Sequence, residues 1–299
     1  MLEFRDVIIE MKPQIDSYFK NSNNWGSEYT FSNLFIWRKN NHTAVAWQDG
    51  FLFARYRIKD KYYFLMPVAE NGGGDTAKAV ESLIEYAVKL GCVPVITGLG
   101  KEGSEKLERL MPGRFEFRVK TEWSDYIYNS DDLINLKGAK YQAKRNHINR
   151  FENQNGTGSF EELNAGNIPH CLETYERWVN EHPQLDLQAE STAVHEALNN
   201  FEQLGLKGGL IRTGNRKVCA FTIGSEINSD IFVIHIEKGL NDCSGVYAVI
   251  NRDFARHACQ NYRYINREED MGIEGLRKAK RSYYPVMLLE KYVAELKNL

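Results

Sequence analysis

The chain has 299 residues, of which 42% are hydrophobic and 12% aromatic, enough apolar surface for a large core and a length that favours two domains. With 38 basic and 40 acidic residues, the net charge is −2, which excludes a protein that coats nucleic acid or anionic lipid through its overall charge. The acidic N-terminal segment does not match a secretory signal, and no apolar run reaches the roughly 18 residues of a membrane-spanning helix. The expected location is therefore cytoplasmic.

The cysteines and histidines show no metal-ligand spacing, so no metal site is expected. The cysteines are odd in number, widely spaced and set in apolar surroundings, which predicts reduced, buried thiols: Cys92, Cys171, Cys219, Cys243 and Cys259.

The first half of the chain alternates strand and helix signals. Val45–Trp47 and Phe51–Tyr56 flank an Asp-Gly turn, which is typical of a β-hairpin, and Tyr62–Pro67 is a third strand. After a run of glycines, Asp75 can cap a helix with apolar positions at helical spacing, and Val93–Thr97 follows as a buried strand.

The second half repeats this order without visible repetition of the residues. Gly209–Thr213, Lys217–Glu226 and Ile231–Glu237 are predicted strands, followed by a helix over Val246–Cys259 and a strand over Tyr262–Ile265. The repeated order predicts a duplicated α/β (α+β) fold, with one lobe at residues 1–135 and a second at residues 136–299 that carries the working surface.

A basic connecting helix is predicted over Leu136–Phe151, with no acid between Lys137 and Arg150. At helical spacing, one stripe would hold the basic side chains, beside Arg145: Lys137, Lys140, Lys144 and His147. Like charges on one face repel, so we predict an anionic partner for this helix; a solvated face of extended lysines is the alternative.

The segment Asn266–Pro285 begins where a predicted strand ends, becomes acidic, passes two glycines and finishes in a basic helical turn. Loops after strand ends are where α/β proteins place ligand sites. We predict a carboxylate base, Glu269 or Asp270, and two cations for an anion or oxyanion, Arg277 and Lys280. The neighbouring residues are predicted to contact substrate: Asn266, Arg267, Glu274, Tyr283 and Tyr284. An intramolecular network of salt bridges is the alternative.

A nucleophile is not evident in the sequence. There is no G-x-S-x-G turn, and Gly224-Ser225 lies inside a predicted strand. The chemistry expected is therefore direct attack by an acceptor, with positioning, a base and oxyanion donors supplying the rate.

Four segments together resemble a bacterial family of unknown function that is similar to the C-terminal domain of phosphatidylglycerol lysyltransferase: Ser27–Trp37, Ser124–Tyr128, Lys144–Phe151 and, most specifically, Asn266–Lys280. The resemblance implies two tandem GNAT-like lobes, each a mixed, mainly antiparallel central sheet flanked by helices, as also found in Fem peptidyltransferases. Relatives with known activity move an aminoacyl group from aminoacyl-tRNA onto a lipid head group or a peptidoglycan precursor.

The resemblance implies an acyltransferase that takes an aminoacyl group from aminoacyl-tRNA to an amine or hydroxyl. The acid-free basic helix is then expected to contact the tRNA phosphates. The lysyltransferases also carry a multi-helix membrane region without counterpart in this sequence, so small-molecule and lipid-head-group acceptors both stay open. No cofactor is firmly implied, because the loop Lys238–Gly245 departs from the usual pyrophosphate-binding Gly pattern. The alternatives are a CoA-dependent N-acetyltransferase, with acetyl-CoA as donor, and a non-catalytic protein that binds a ligand or tRNA.

Overall fold

The computed structural model describes residues 1–156 and 159–297. They form two compact units. The first contains Met1–Asp125, Glu269–Glu274 and the C-terminal segment from Leu288, and the second contains Tyr126–Glu268 and Gly275–Met287. The chain therefore returns to the first unit twice, whereas the sequence placed every residue after 135 in the second lobe.

The strands of the described residues are β1 (Arg5–Asp6), β2 (Ala44–Gln48), β3 (Phe51–Ile58), β4 (Lys61–Leu65), β5 (Val68–Ala69), β6 (Val95–Leu99), β7 (Phe115–Val119), β8 (Asp125–Asn129), β9 (Ser159–Glu162), β10 (Lys207–Arg212), β11 (Val218–Asn228), β12 (Ile231–Gly239), β13 (Tyr264–Asn266), β14 (Met287–Leu289) and β15 (Tyr292–Leu296). Their α-helices are α1 (Lys12–Phe19), α2 (Phe31–Ile36), α3 (Arg38–Asn41), α4 (Thr76–Lys89), α5 (Lys101–Leu110), α6 (Ser130–Asn135), α7 (Gln142–Asn155), α8 (Ile168–Asn180), α9 (Gln188–Asn199), α10 (Val246–Ala258) and α11 (Glu274–Arg281).

The first sheet has the order β1-β2-β3-β4-β6-β15-β7, with β5 beside β3. The predicted hairpin is β2 and β3, and the predicted cap is present, since the Asp75 side chain accepts a hydrogen bond of 3.0 Å from the Lys78 amide. The apolar stripe of α4 joins the core of this sheet, which stabilises the helix by burying one face.

The second sheet has the order β14-β8-β13-β12-β11-β10-β9. Its strands β10, β11 and β12 are antiparallel neighbours, and β12 then runs parallel to β13. Helices α7 and α10 contribute Ile148, Phe151 and Phe254 to the core. Both units thus have the predicted mixed, mainly antiparallel sheet with flanking helices. Within residues 1–156 and 159–297, no helix is long and apolar enough to cross a membrane.

A buried ion cluster holds the C-terminal strand in the first unit. The Lys291 ammonium lies just before β15, 2.7 Å from Asp125 Oδ1 and 2.8 Å from Glu28 Oε2. Burial opposes the charge of Lys291, but the two carboxylates outweigh burial and raise its pKa. One ammonium therefore pairs with two buried carboxyl groups from distant parts of the sequence, and burial raises the pKa of Glu28.

We expect Lys291→Met to destabilise the protein by roughly 3–5 kcal/mol, because it leaves two buried carboxylates without a cation. The measurement is the free energy of unfolding from urea denaturation, with the exposed Lys297→Met as a matched control in the same segment. Equal stability of the two variants would show that the cluster does not hold β15.

Candidate functional site

The parallel strands β12 and β13 separate after a short pairing. Ile231, Phe232 and Val233 pair with Tyr264, Ile265 and Asn266, after which β13 ends and β12 continues to Gly239. We call residues 234–239 and 266–268 the fork. Ligands in α/β sheets bind at the carboxyl ends of parallel strands, so the fork is the candidate site of the second unit.

A β-bulge at the fork redirects a histidine. Ile223 pairs with Ile236 and Gly224 with Ile234, so His235 is the extra residue on β12. The His235 side chain is only 2% exposed. Its Nε2 lies 2.8 Å from Ser225 Oγ and its Nδ1 lies 2.9 Å from Glu268 Oε1. A hydroxyl, an imidazole and a carboxylate are thereby joined in one chain of hydrogen bonds.

A buried ion pair lies two residues further along β12. Arg267 Nη2 donates to Glu237 Oε1 over 2.8 Å, and the two side chains are about 11% and 10% exposed. Asn251 on α10 approaches the other carboxylate oxygen of Glu237 at 3.4 Å. Among the described residues, Arg267 Nη1 and Asn251 Oδ1 are buried without a hydrogen-bond partner, so a donor and an acceptor remain for a ligand.

Lys144 adds a second cation. Its Nζ lies 3.6 Å from the centre of the Tyr283 ring, whose other neighbour is the Arg267 guanidinium at 4.9 Å, and it hydrogen-bonds Ser282 Oγ over 2.6 Å. Burial, and then the nearby Arg267, lower the pKa of Lys144 to about 8, while Glu237 opposes the shift. We call Lys144, Glu237, Asn251, Arg267 and Tyr283 the Lys144 cluster; it combines two cations with one carboxylate.

The predicted site segment is divided by the fold. Asn266, Arg267, Lys280, Tyr283 and Tyr284 belong to the second unit with the Lys144 cluster, as does the partly buried Arg277 on α11. The carboxylates that were predicted as bases or substrate contacts belong to the first unit: Glu269, Asp270 and Glu274. The Asp270 side chain accepts a hydrogen bond from the Gly272 amide over 2.9 Å and is 2% exposed, which describes a turn-forming aspartate.

Lys280 and Asn266 hold the backbone of the fork. The buried Lys280 ammonium donates to the carbonyl oxygens of Arg267 and Glu268, and Asn266 Oδ1 accepts from the Glu268 amide over 2.7 Å. These bonds fix the residues that follow β13. Tyr284 is instead 47% exposed and packs edge-on against Tyr141, with ring centres 5.6 Å apart.

The predicted basic stripe is wrong in its geometry. Leu136 and Gly138 have φ of 48° and 85°, which interrupts the predicted helix, and α7 begins only at Gln142. Lys137 and Lys140 therefore precede the helix, and Lys140 is paired with Asp132 at 3.1 Å.

The remaining basic residues of α7 have separate surroundings. Lys144 enters the Lys144 cluster and His147 stays exposed. Partial desolvation, followed by Lys144 and Arg150, lowers the pKa of His147. Arg145 donates to the Gly138 carbonyl over 2.9 Å and lines a cavity of about 220 Å³ together with Arg252 and Arg256.

Two carboxylates of the protein itself make polar contacts in the loop between β12 and α10, residues 240–245. Glu181 Oε2 accepts from the Asn241 amide over 2.9 Å, and the Asp242 carboxylate pairs with Lys217 and Arg177. Gly245 has φ of 91°, and a Cβ there would lie 2.1 Å from the His147 carbonyl oxygen. Helix packing explains this glycine without a bound pyrophosphate.

The prediction of reduced cysteines is wrong for one pair. Cys219 on β11 and Cys243 in the loop before α10 form a disulfide, with their Cα atoms 6.1 Å apart. Their separation of 24 residues carries no spacing motif, so only the tertiary fold brings them together. Cys92, Cys171 and Cys259 are free.

Sequence reasoning missed five residues of the fork and its surroundings: Ser225, His235, Glu237, Asn251 and Glu268. A signal existed, because His235 and Glu237 alternate with Ile234 and Ile236 in an otherwise apolar strand. Their hydrogen-bond partners come from other elements, and no local pattern identifies them.

These features define a protein of two α/β lobes with a polar fork in its second lobe. The chain belongs to the family described as Phosphatidylglycerol lysyltransferase, C-terminal, whose model matches residues 19–295. A conserved protein of unknown function from Bacteroides thetaiotaomicron is 40% identical, with a TM-score of 0.94, over 99% of this chain and all of that one.

More distant structures share the fold. L-PGS from Bacillus licheniformis is 13% identical with a TM-score of 0.66, covering 89% of this chain and 92% of that one. FemX is 10% identical with a TM-score of 0.63, covering 99% of this chain and 98% of that one.

A relative is also found by sequence. An uncharacterized protein of Mycoplasmoides gallisepticum is 22% identical over 176 residues, which span 58% of this chain and 56% of that protein.

We expect the stability of the protein to rise between pH 8 and 10 through Lys144. Because the pKa of Lys144 is lowered in the folded state, the unfolded state binds the proton more tightly, which favours unfolding at pH 8. As the pH rises towards 10, the unfolded state also loses this proton and the destabilisation decreases. Lys144→Met should flatten this rise by roughly 1 kcal/mol, a value discounted for the solvent contact that Lys144 keeps. Urea unfolding at both pH values measures it, and an unchanged slope would contradict the burial of this charge.

Proposed function

We propose that this protein transfers an aminoacyl group from aminoacyl-tRNA to an amine or hydroxyl acceptor at the fork of its second lobe. The observation that supports this most is the unpartnered donor and acceptor of the Lys144 cluster, Arg267 Nη1 and Asn251 Oδ1, beside the Glu237 carboxylate. Membership in the phosphatidylglycerol lysyltransferase C-terminal family supports the same class of reaction.

The Lys144 cluster matches the two polar ends of an aminoacyl ester. The α-ammonium group of the ester needs acceptors, which Glu237 and Asn251 Oδ1 offer. Its carbonyl oxygen gains negative charge as the acceptor attacks, and Arg267 Nη1 and Lys144 are cations that stabilise such a charge in a dehydrated site. An acetyl group has no ammonium, so it leaves the acceptors of this cluster unsatisfied.

The loop before α10 argues against acetyl-CoA as the donor. A pyrophosphate bound there would compete with Glu181 for the Asn241 amide and would meet the Asp242 carboxylate. Displacing these two anions costs free energy, a cost that is absent in a loop whose amides are free to bind phosphate.

For the tRNA we propose phosphate contacts on the face formed by α6, α7 and α10. Lys137 and Lys140 lie just before α7, His147 lies on α7, and all three are exposed. The cavity lined by Arg145, Arg252 and Arg256 adds guanidinium groups. These cations are partly neutralised by Asp132 and Asp253, so tRNA binding should be moderate and strongly dependent on salt. The proposal admits two classes of acceptor, a small-molecule amine and a lipid head group.

The donor class is tested by calorimetry. We expect acetyl-CoA to bind no more tightly than roughly 1 mM, a free energy of about −4 kcal/mol, whereas lysyl-tRNA with a stable 3′-amide bond raises the melting temperature. Micromolar binding of acetyl-CoA would make the protein a CoA-dependent N-acetyltransferase. Binding of tRNA that ignores the aminoacyl group would favour the non-catalytic alternative.

The aminoacyl contact is tested by comparing lysyl-tRNA amide with uncharged tRNA. We expect the parent to prefer the charged form, and Glu237→Gln or Arg267→Lys to reduce that preference by about 10-fold, which is about 1.4 kcal/mol. A lysine ammonium cannot replace a guanidinium that donates to Glu237 through Nη2 and offers Nη1 to a ligand, so the second change is not conservative here. Arg177→Lys, in the loop contact with Asp242, is the matched control. An undiminished preference in both fork variants would remove the Lys144 cluster from the site.

A further inference from the structure

The hydrogen-bonded chain Ser225, His235 and Glu268 has the arrangement of an activated nucleophile. Ser225 Oγ lies 2.8 Å from His235 Nε2, and the opposite ring nitrogen lies 2.9 Å from Glu268 Oε1. A carboxylate only accepts hydrogen bonds, so in the neutral ring Nδ1 carries the hydrogen and Nε2 is left to accept from the hydroxyl. This is the tautomer that a general base requires.

The fold keeps Glu268 in this position at a conformational cost. Its φ is 55°, a left-handed conformation that a residue with a Cβ adopts with strain. Three bonds hold it there: its amide donates to Asn266 Oδ1, and its carbonyl oxygen accepts from Lys280 Nζ over 3.0 Å and from the Tyr126 amide over 3.2 Å. The backbone is thus fixed so that the carboxylate faces His235.

The histidine is placed with similar specificity. It is the extra residue of the β12 bulge, and Gly224 opposite has a Cβ position only 2.2 Å from the Val233 carbonyl oxygen, so glycine is required for this close approach of the strands. Ser225, next to that glycine, keeps 6% of its surface exposed. Arg267, adjacent to Glu268, supplies a cation with an unpartnered Nη1 to the same fork.

We propose that Ser225 is a nucleophile that takes an acyl group from an oxygen ester, with His235 as its general base and Glu268 as a positioning residue. Ser225 Oγ bonds to the ester carbonyl carbon while its proton passes to His235 Nε2. The carbon–oxygen bond to the alcohol then breaks, and the departing alcohol takes that proton. This leaves an acyl-serine, in which one oxygen ester has replaced another.

The acyl-serine is released by a second attack. An acceptor amine, hydroxyl or water adds to the carbonyl carbon and gives a proton to His235, and Ser225 leaves with that proton. The proposal rests on the proposed function only for the identity of the ester, aminoacyl-tRNA, and it replaces direct attack by two steps. The nucleophile itself is testable without tRNA.

The experiment treats the full-length protein with a fluorophosphonate, which forms a stable bond with activated serines, and follows the intact mass and the modified peptide. We expect one adduct at Ser225, none in Ser225→Ala, and a rate at least about 100-fold lower in His235→Ala, as for loss of a general base. Ser130→Ala is the matched control, because Ser130 is also buried but its Oγ has no hydrogen-bond partner among the described residues.

The role of Glu268 is tested by Glu268→Gln, which keeps the shape but not the charge. We expect labelling to slow by about 100-fold, because the amide no longer stabilises the imidazolium that forms as Ser225 gives up its proton. A purely structural glutamate would change the melting temperature and leave the labelling rate of the folded protein unchanged.

Two results would overturn the proposal. One is an unlabelled parent whose Ser225→Ala variant melts at a lower temperature, which would make the chain a structural link between β11, β12 and the segment after β13. The other is labelling at a different serine. Labelling at Ser225 together with no preference for lysyl-tRNA amide would keep the nucleophile and reject the donor, so the two proposals fail separately.

Discussion

The second lobe depends on an unequal pair of parallel strands. β13 ends at Asn266 while β12 continues to Gly239, so β13 does not cover the edge of β12 beyond their three paired residues. Buried polar groups must find partners, and here the partners are side chains and the segment after β13. The histidine, the carboxylates and the cations of the fork follow from this one feature of the sheet.

The buried charges of the fork contribute little to stability. A buried ion pair such as Glu237 and Arg267 contributes little net stability, since desolvation offsets the attraction. Lys144 adds a cation that the single carboxylate does not compensate, and burial, followed by the nearby Arg267, lowers its pKa. Uncompensated buried charge and unpartnered polar atoms are features that a ligand removes, which is why such groups concentrate at functional sites.

The first lobe has the same strand arrangement with a different outcome. β4 and β6 are parallel at Phe64 and Ile96, and the Glu28 carboxylate lies beside Gly98 near the end of β6, where a Cβ would come within 2.6 Å of it. There Lys291 binds both Glu28 and Asp125. In the first lobe the buried Lys291 binds two carboxyl groups of the protein itself, which describes a closed structural cluster. The Lys144 cluster of the second lobe instead includes a buried donor and a buried acceptor, Arg267 Nη1 and Asn251 Oδ1, without a hydrogen-bond partner among the described residues.

The sequence alone determined the local elements, because hydrophobic periodicity and turn residues act over a few neighbours: the hairpin of β2 and β3, the Asp75 cap, and the order of β10 to β13. Through the resemblance it also determined the family and the tandem GNAT-like fold. It named Arg267, Tyr283 and Lys144 but in separate roles, and it missed the Ser225, His235 and Glu268 chain. Only the tertiary structure decided that β15 returns to the first sheet, that Cys219 reaches Cys243, and that Lys144 faces Arg267. These contacts join residues far apart in the chain, and their energies depend on burial, which no local pattern specifies.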